Sequence, residues 1–175
     1  EQRLGHAAVP ELSLVANTYL TGDNLFRGGF ILAEKGRAFA KKIIERFHVK
    51  TSSPQQHAGS LSGGNLQKYI MGREILSLPH VLLVSQPTWG VDVGAAAVIR
   101  NALMRLRDDG AAVIVVSEEI DELFEISDRI AVMYRGALSP AVPKDRISIE
   151  EVGRWMSGLW PGSSFGKHDN QEAQA

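Results

Sequence analysis

From residue 31 to 49 the apolar positions return every four residues. Phe39, Ile43 and Phe47 fall on one side, with Lys41, Lys42, Glu45 and Arg46 between them, which predicts an amphipathic helix. A second helix is predicted from just after Gly63-Gly64 to about Leu76, closed ahead of Pro79. Val81-Leu82-Leu83-Val84 is an unbroken apolar run of strand length and reads as a buried strand ending in a turn at Pro87. Helical spacing resumes over residues 93–107, where Ala95, Ile99, Ala102, Leu103 and Leu106 share a face and Gly110 ends the helix. Residues 111–116 form a second apolar strand, parallel to the first because a helix joins them. A short acidic helix (119–126), a third strand (129–134) and a hairpin turn at Gly136 follow. The last helix opens with a capping box, Ser148-Ile149-Glu150-Glu151, flanked by Ile147 and Val152 as a hydrophobic staple. Ile149, Val152, Met156 and Leu159 are predicted to line its inner face. Residues 1–30, punctuated by Gly5, Pro10, Gly22, Gly28 and Gly29, read as irregular, and 51–60 as a polar loop.

Strand, helix and strand in this order predict an α/β fold with a parallel sheet flanked by helices. The helical front, residues 1–78, reads as a smaller subdomain, residues 79–159 as the sheet-bearing part, and 160–175 as a disordered tail rich in small and polar residues.

Composition narrows the chemistry. With 44% hydrophobic residues, a chain of 175 has material for one core or two. Nineteen Lys and Arg stand against twenty Asp and Glu, so no basic excess points to nucleic acid. Cysteine is absent, which excludes disulfide scaffolds, thiolate metal sites and thiol catalysis. No apolar run approaches the ~18 residues of a membrane-spanning helix. The chain opens on Glu1 rather than Met and reads as cut from a longer one.

Two segments carry candidate chemistry. In Ser60-Leu61-Ser62-Gly63-Gly64-Asn65-Leu66-Gln67-Lys68, glycines at a helix start let another backbone come close. The positive helix end and the Ser62 hydroxyl then make an anion site. The plainer reading, a glycine-rich helix start capped by serine, is equally open on these residues alone. About 20 residues on, His80 to Asp92 is a strand that delivers polar side chains at its C-terminal end, where α/β sheets bind ligands; an ordinary strand exit is the alternative.

Together these segments resemble the ATP-binding cassette (ABC) ATPase family. Residues 61–67 are similar to its signature motif, L-S-G-G-N-x-Q, and 81–92 to its Walker B strand and D-loop. Residues 111–118 resemble the strand leading to the switch histidine, and Ser127-Asp128-Arg129-Ile130-Ala131-Val132-Met133 with Gly136 the next strand and turn. The resemblance runs in order over residues 1–158. Glu-x-Arg-Leu-Gly at the start, Asn65, Gln86-Pro87-Thr88-x-Gly90-Val91-Asp92 and Ser117-Glu118-Glu119 are similar to the second cassette of sugar and nucleoside importers, which carry two cassettes in one polypeptide. Ser85 to Trp89 and Leu138-Ser139-Pro140-Ala141 most resemble the general nucleoside branch.

The departures from the family pattern matter equally. Where a competent Walker B ends in Asp-Glu, this chain has Ser85 and Gln86. Serine gives Mg²⁺ no anionic anchor, and glutamine orients a water without taking its proton. The switch histidine is replaced by Glu118, a carboxylate that repels a γ-phosphate. No G-x-x-x-x-G-K-[ST] phosphate loop occurs; Gly162-Ser163-Ser164-Phe165-Gly166-Lys167-His168 is one residue short and follows no strand. The family's phosphate loop lies upstream, and Glu1 matches the Q-loop position.

What the resemblance implies is a division of labour. A first cassette holds ATP and Mg²⁺, while Leu61, Ser62, Gly63, Gly64 and Asn65 of this chain close on that ATP in trans. Gly90, Val91 and Asp92 take the D-loop place at the cassette interface. The half-site at Ser85, Gln86 and Glu118 holds no intact catalytic residue and no metal ligand. The implied partners are the other cassette, the membrane permease subunits and, through them, a substrate-binding lipoprotein. The implied location is the cytoplasmic face of the plasma membrane. The alternative is a dimerisation or regulatory module with no ATP turnover of its own.

Other features read plainly. Glu118, Glu119, Asp121, Glu122 and Glu125 form a solvated acidic face, His48, His57 and His80 are scattered, and Arg73-Glu74 is helix surface. Phe26 and Phe30 serve either a membrane-domain contact or the core.

Overall fold

The structure, a computed structural model, describes residues 7–163. The chain forms two compact units, Glu1–Ser117 and Glu118–Ala175. Glu1 and residues 164–175, which include most of the phosphate-loop look-alike and of the expected tail, lie outside the described residues.

In the first unit, helix α1 (Leu14–Thr18) precedes a two-stranded hairpin, β1 (Phe26–Arg27) and β2 (Phe30–Ile31). Gly28 and Gly29 both take positive φ, as a two-residue hairpin turn requires. Phe30 at its end is 79% exposed, which removes the core-packing reading for this ring. Helix α2 (Ala33–Arg46) buries Gly36, Ala40 and Ile43, and Phe47 behind it is buried too.

Helix α3 (Gly63–Leu76) is the centre of the unit. Its residues from Leu66 to Arg73 are buried on every side, so it lacks the one-sided apolar stripe of a surface helix. Its polar side chains reach carbonyls of other segments. Tyr69 Oη donates to the Leu14 carbonyl at 2.5 Å. Arg73, expected on the surface, is buried and donates to the Asn17 carbonyl (3.0 Å) and the Ala7 carbonyl (2.8 Å). Burial of a guanidinium is tolerated here because its N–H groups meet acceptors, Glu74 among them. Asn17 is likewise fully buried and satisfied, bonded to Val9, Leu12 and Ser13.

Strand β3 (Val81–Ser85), helix α4 (Val93–Asp108) and strand β4 (Ala112–Val116) form the expected crossover, and β3 and β4 pair in parallel from Val81↔Ala112 to Ser85↔Val116. The first strand is predicted to be buried along its length. Instead Leu82 and Val84 are buried, while Val81, Leu83, Ile114 and Val116 on the opposite face are 51–67% exposed. Alternate side chains point to opposite faces, and only one face of this pair is covered.

In the second unit, helix α5 (Ile120–Ile126) leads to short antiparallel pairs: β5 (Arg129–Ile130) with β8 (Val142–Pro143), and β6 (Met133–Tyr134) with β7 (Ala137–Leu138). One continuous strand was expected over 129–134. It breaks at Val132, whose N–H donates to the buried Ser139 hydroxyl at 2.9 Å instead of a ladder carbonyl. Gly136, at positive φ, makes the expected hairpin turn.

Helix α6 (Ile149–Trp155) starts with the predicted capping box, Ser148 and Glu151 each accepting from the other's backbone. Its inner face differs from the prediction. Val152 and Trp155 are buried with Ile130, Val132, Ile147 and Trp160, whereas Ile149, Met156 and Leu159 are exposed. The helix stops at Trp155 and Gly158 turns the chain with positive φ, so Leu159 is not on it. Among the described residues no helix is long and apolar enough to cross a membrane.

Candidate functional site

The start of α3 is built by local chemistry. Ser62 has extended backbone, as an N-cap must, and its Oγ accepts from the Asn65 N–H (3.4 Å) and from Asn65 Nδ2 (2.9 Å). The other end of the Asn65 amide accepts from the Lys50 N–H at 2.8 Å. The serine-cap reading is therefore what the backbone has, and Asn65 fixes the orientation of that hydroxyl. Leu61 sits just before, closing a short 3-10 turn at Ala58–Ser60.

A second helix start lies beside it. Asp92 caps α4, its carboxylate accepting from the Ala95 N–H at 2.9 Å. That hydrogen bond, with a contribution from the Lys68 charge, holds its carboxyl below the usual value. The two starts touch through backbone. A Cβ on Gly64 would stand 2.9 Å from the Gly90 carbonyl oxygen, and Gly90 has the positive φ that glycine tolerates. The close approach predicted for this glycine pair is thus made, at Gly64, to the chain's own 86–92 loop.

The result is an open cleft of about 240 Å³ lined by Lys50, Ser62, Gly64, Asn65, Lys68, Gly90, Val91 and Asp92. Ser62, Gly64 and Asn65 of the first motif and Gly90, Val91 and Asp92 of the second are thereby brought together; Gly63 is the first residue of α3. Two lysines and the positive end of a 14-residue helix face one carboxylate already engaged as a cap. That balance suits the anionic end of a ligand.

Lys50 was not singled out from sequence, and Gln67 and Lys68 were read only as part of the Ser60–Lys68 segment, without their partners. Lys68 is buried and donates to the His48 carbonyl at 2.8 Å, which pins its ammonium beside the cleft. Gln67 Nε2 donates to the carbonyls of Gln86 (3.1 Å) and Pro87 (2.8 Å). Their partners lie about 20 residues away, beyond the reach of local periodicity.

The remaining site residues lie at the end of β3 and beyond β4. Ser85 is the exposed last residue of β3. Gln86 follows at positive φ, its N–H donating to the Val116 carbonyl at 2.7 Å and its Oε1 accepting from Ser117 Oγ at 3.5 Å. Glu118 is exposed and belongs to the second unit. Serine and glutamine offer neutral oxygens only, and no group of three or more His, Cys, Asp or Glu able to hold a metal ion occurs among the described residues. The donor set at Ser85 and Gln86 does not fit Mg²⁺.

No family model matches the chain. Curated relatives do. The chain is 43% identical over 130 residues to the nucleoside import ATP-binding protein NupA of Lactococcus lactis, which spans 74% of this chain and 26% of that protein. It is 36% identical over 154 residues to the ribose import ATP-binding protein RbsA 1 of Rubrobacter xylanophilus, with 87% and 31% covered. It is 41% identical over 119 residues to the guanosine import ATP-binding protein NupO of Bacillus subtilis, with 68% and 23% covered. The chain spans only about a quarter to a third of these relatives' length. Among solved structures, the dimeric post-hydrolysis state of the ATP-binding cassette MJ0796 bound to ADP and Pi superposes with a TM-score of 0.68 at 23% identity, covering 81% of this chain and 61% of that one. A second dimeric MJ0796 structure gives the same TM-score at 22% identity. At such identities the likeness concerns the fold.

Proposed function

This chain belongs to the ATP-binding cassette (ABC) ATPase family, and we propose that it is part of an importer's ATP-binding subunit for nucleosides or simple sugars. In this reading Leu61, Ser62, Gly63, Gly64 and Asn65 close on ATP that a partner cassette holds with its Mg²⁺. The D-loop residues Gly90, Val91 and Asp92 meet the same partner. Permease subunits in the membrane, served by a substrate-binding lipoprotein, are what the subunit drives from the cytoplasmic face.

The observation that carries this reading is the cleft in which the α3 and α4 starts converge, with Lys50 and Lys68 on its wall. Its residues suit phosphate oxygens: a serine hydroxyl held in place by Asn65, a helix N-terminus and two lysines in the lining. ATP supplies the transferable phosphoryl group. This chain's own part is to bind and orient its charged end and to exclude water there.

A second reading is favoured by Ser85 and Gln86. The chain's own Walker B position lacks both the anion that anchors Mg²⁺ and the carboxylate that polarises water, so the half-site built on it works as a dimerisation or regulatory element without turnover.

Sedimentation of this chain mixed with a phosphate-loop-bearing cassette of the same importer tests the first reading. ATP is expected to tighten the association at least about tenfold, a gain of 1.4 kcal/mol, and Ser62→Arg to abolish that gain. Association indifferent to ATP would overturn it. For the second reading, purified chain given Mg²⁺-ATP is expected to release no phosphate, and measured release would count against it.

A further inference from the structure

Buried polar side chains outside the cleft are mostly accounted for by the helices they hold in place. Gln67 differs, because its amide joins the two site segments and nothing in the proposed function uses it. It stands one turn into α3 and is 7% exposed. Its single Nε2 group donates to two consecutive carbonyls, Gln86 and Pro87. Pro87 is fully buried, so its carbonyl depends on a protein donor. The Gln86 carbonyl also accepts the Trp89 N–H at 3.2 Å, which is the bond that closes the turn. The residue being held is an unusual one: Gln86 carries a side chain at φ +50. The same amide therefore stabilises the left-handed turn, the 86–89 loop behind it and the register of α3 against both.

We infer that Gln67 is a positioning residue that makes the α3 start (62–65) and the 86–92 loop a single moving part. The second contact between them, Gly64 against Gly90, lies one turn nearer the helix start and works in the same direction. With both in place, a displacement at Ser62 is transmitted to Gln86 and to Asp92 without passing through solvent. A group seated at the α3 start is then sensed at the chain's own Walker B position. The significance of this link rests on the reading in which the α3 start meets a partner's phosphates, but the link itself is a property of the free chain.

Backbone amide exchange on the free 175-residue chain, without nucleotide, tests it. Gln67→Met keeps the shape and removes both donors; Gln67→Asn keeps a donor but shortens its reach. The reporters are the amides of Trp89 and Val91, bonded to the Gln86 and Thr88 carbonyls, and of Asn65 and Lys50, bonded to Ser62 and Asn65. Both variants are expected to raise exchange at all four by about tenfold or more, while β3 and β4 amides change less than about twofold. Restoring the shape without the donor gives no rescue, so Met and Asn behave alike. Exchange that rises at Trp89 and Val91 alone, or at none of the four, overturns the inference. If the Met variant unfolds, which the β3 and β4 amides report, the Asn variant decides. Because no nucleotide is present, failure here leaves the proposed function standing, and failure of ATP-dependent association leaves this link standing.

Discussion

Gly64 and Gly90 meet backbone to backbone, with 2.9 Å between the place of a Cβ on Gly64 and the Gly90 carbonyl oxygen. Neither partner can yield by turning a flexible side chain. Gly64→Ala must therefore move α3 or the loop, at a cost of about 1–3 kcal/mol. Thermal melts of the two proteins measure the loss. An unchanged melting temperature would mean that the two segments separate freely.

Asp92 gives a pH dependence with a definite sign. Its carboxyl is held below the ordinary value by the Ala95 N–H, so its contribution to stability is complete above the usual carboxylate range. That contribution disappears as pH falls through the lowered value. Asp92→Ala is expected to destabilise the chain at neutral pH and to leave its acid stability near that of the wild type. Asp92→Asn, which keeps an acceptor for the cap, is expected to lose less at neutral pH. Denaturant melts at neutral and strongly acid pH check both statements.

Tyr69 and Leu14 are joined across 55 residues of chain by a buried hydrogen bond. Burial pushes the phenol well above its ordinary value, so it stays a donor over the working pH range. Tyr69→Phe leaves the Leu14 carbonyl without that donor and is expected to cost roughly 1–2 kcal/mol in urea unfolding.

The exposed face of β3 and β4 carries Val81, Leu83, Ile114 and Val116 side by side on a parallel pair. Parallel sheets are normally covered on both faces, and open strand edges invite pairing. The chain is expected to self-associate in sedimentation velocity. Leu83→Thr with Ile114→Thr, which keeps strand propensity, is expected to raise the monomer fraction. A compact monomer before and after the change would contradict this.

Much of this architecture was legible in sequence wherever the signal is local. The α2 stripe, the β3–α4–β4 crossover and the Ser148–Glu151 capping box each rest on residues within a few positions of one another. Helix α1 was missed because its five residues carry little periodicity of their own; Asn17 holds it by bonding back to Val9 and Leu12. Arg73 was misplaced because a lone arginine on a helix reads as solvated, and its acceptors, Ala7 and Asn17, lie more than 50 residues away. The α6 face was misread by extending the helical period past Trp155. At the site the motif residues were found, since spacing alone defines them. The bonds of Gln67 to the Gln86 and Pro87 carbonyls and of Lys68 to the His48 carbonyl were not, because the acceptors lie about 20 residues away.

Under the proposed function the two halves of this chain's machinery are unequal: its α3 start would serve a competent site elsewhere, while its own Walker B position would not turn over. ATP hydrolysis by the full-length importer ATPase, measured for Ser62→Arg and Gln86→Ala side by side, tests this directly. Ser62→Arg is expected to abolish transport-linked hydrolysis and Gln86→Ala to change it little. Equal losses from the two substitutions would contradict it.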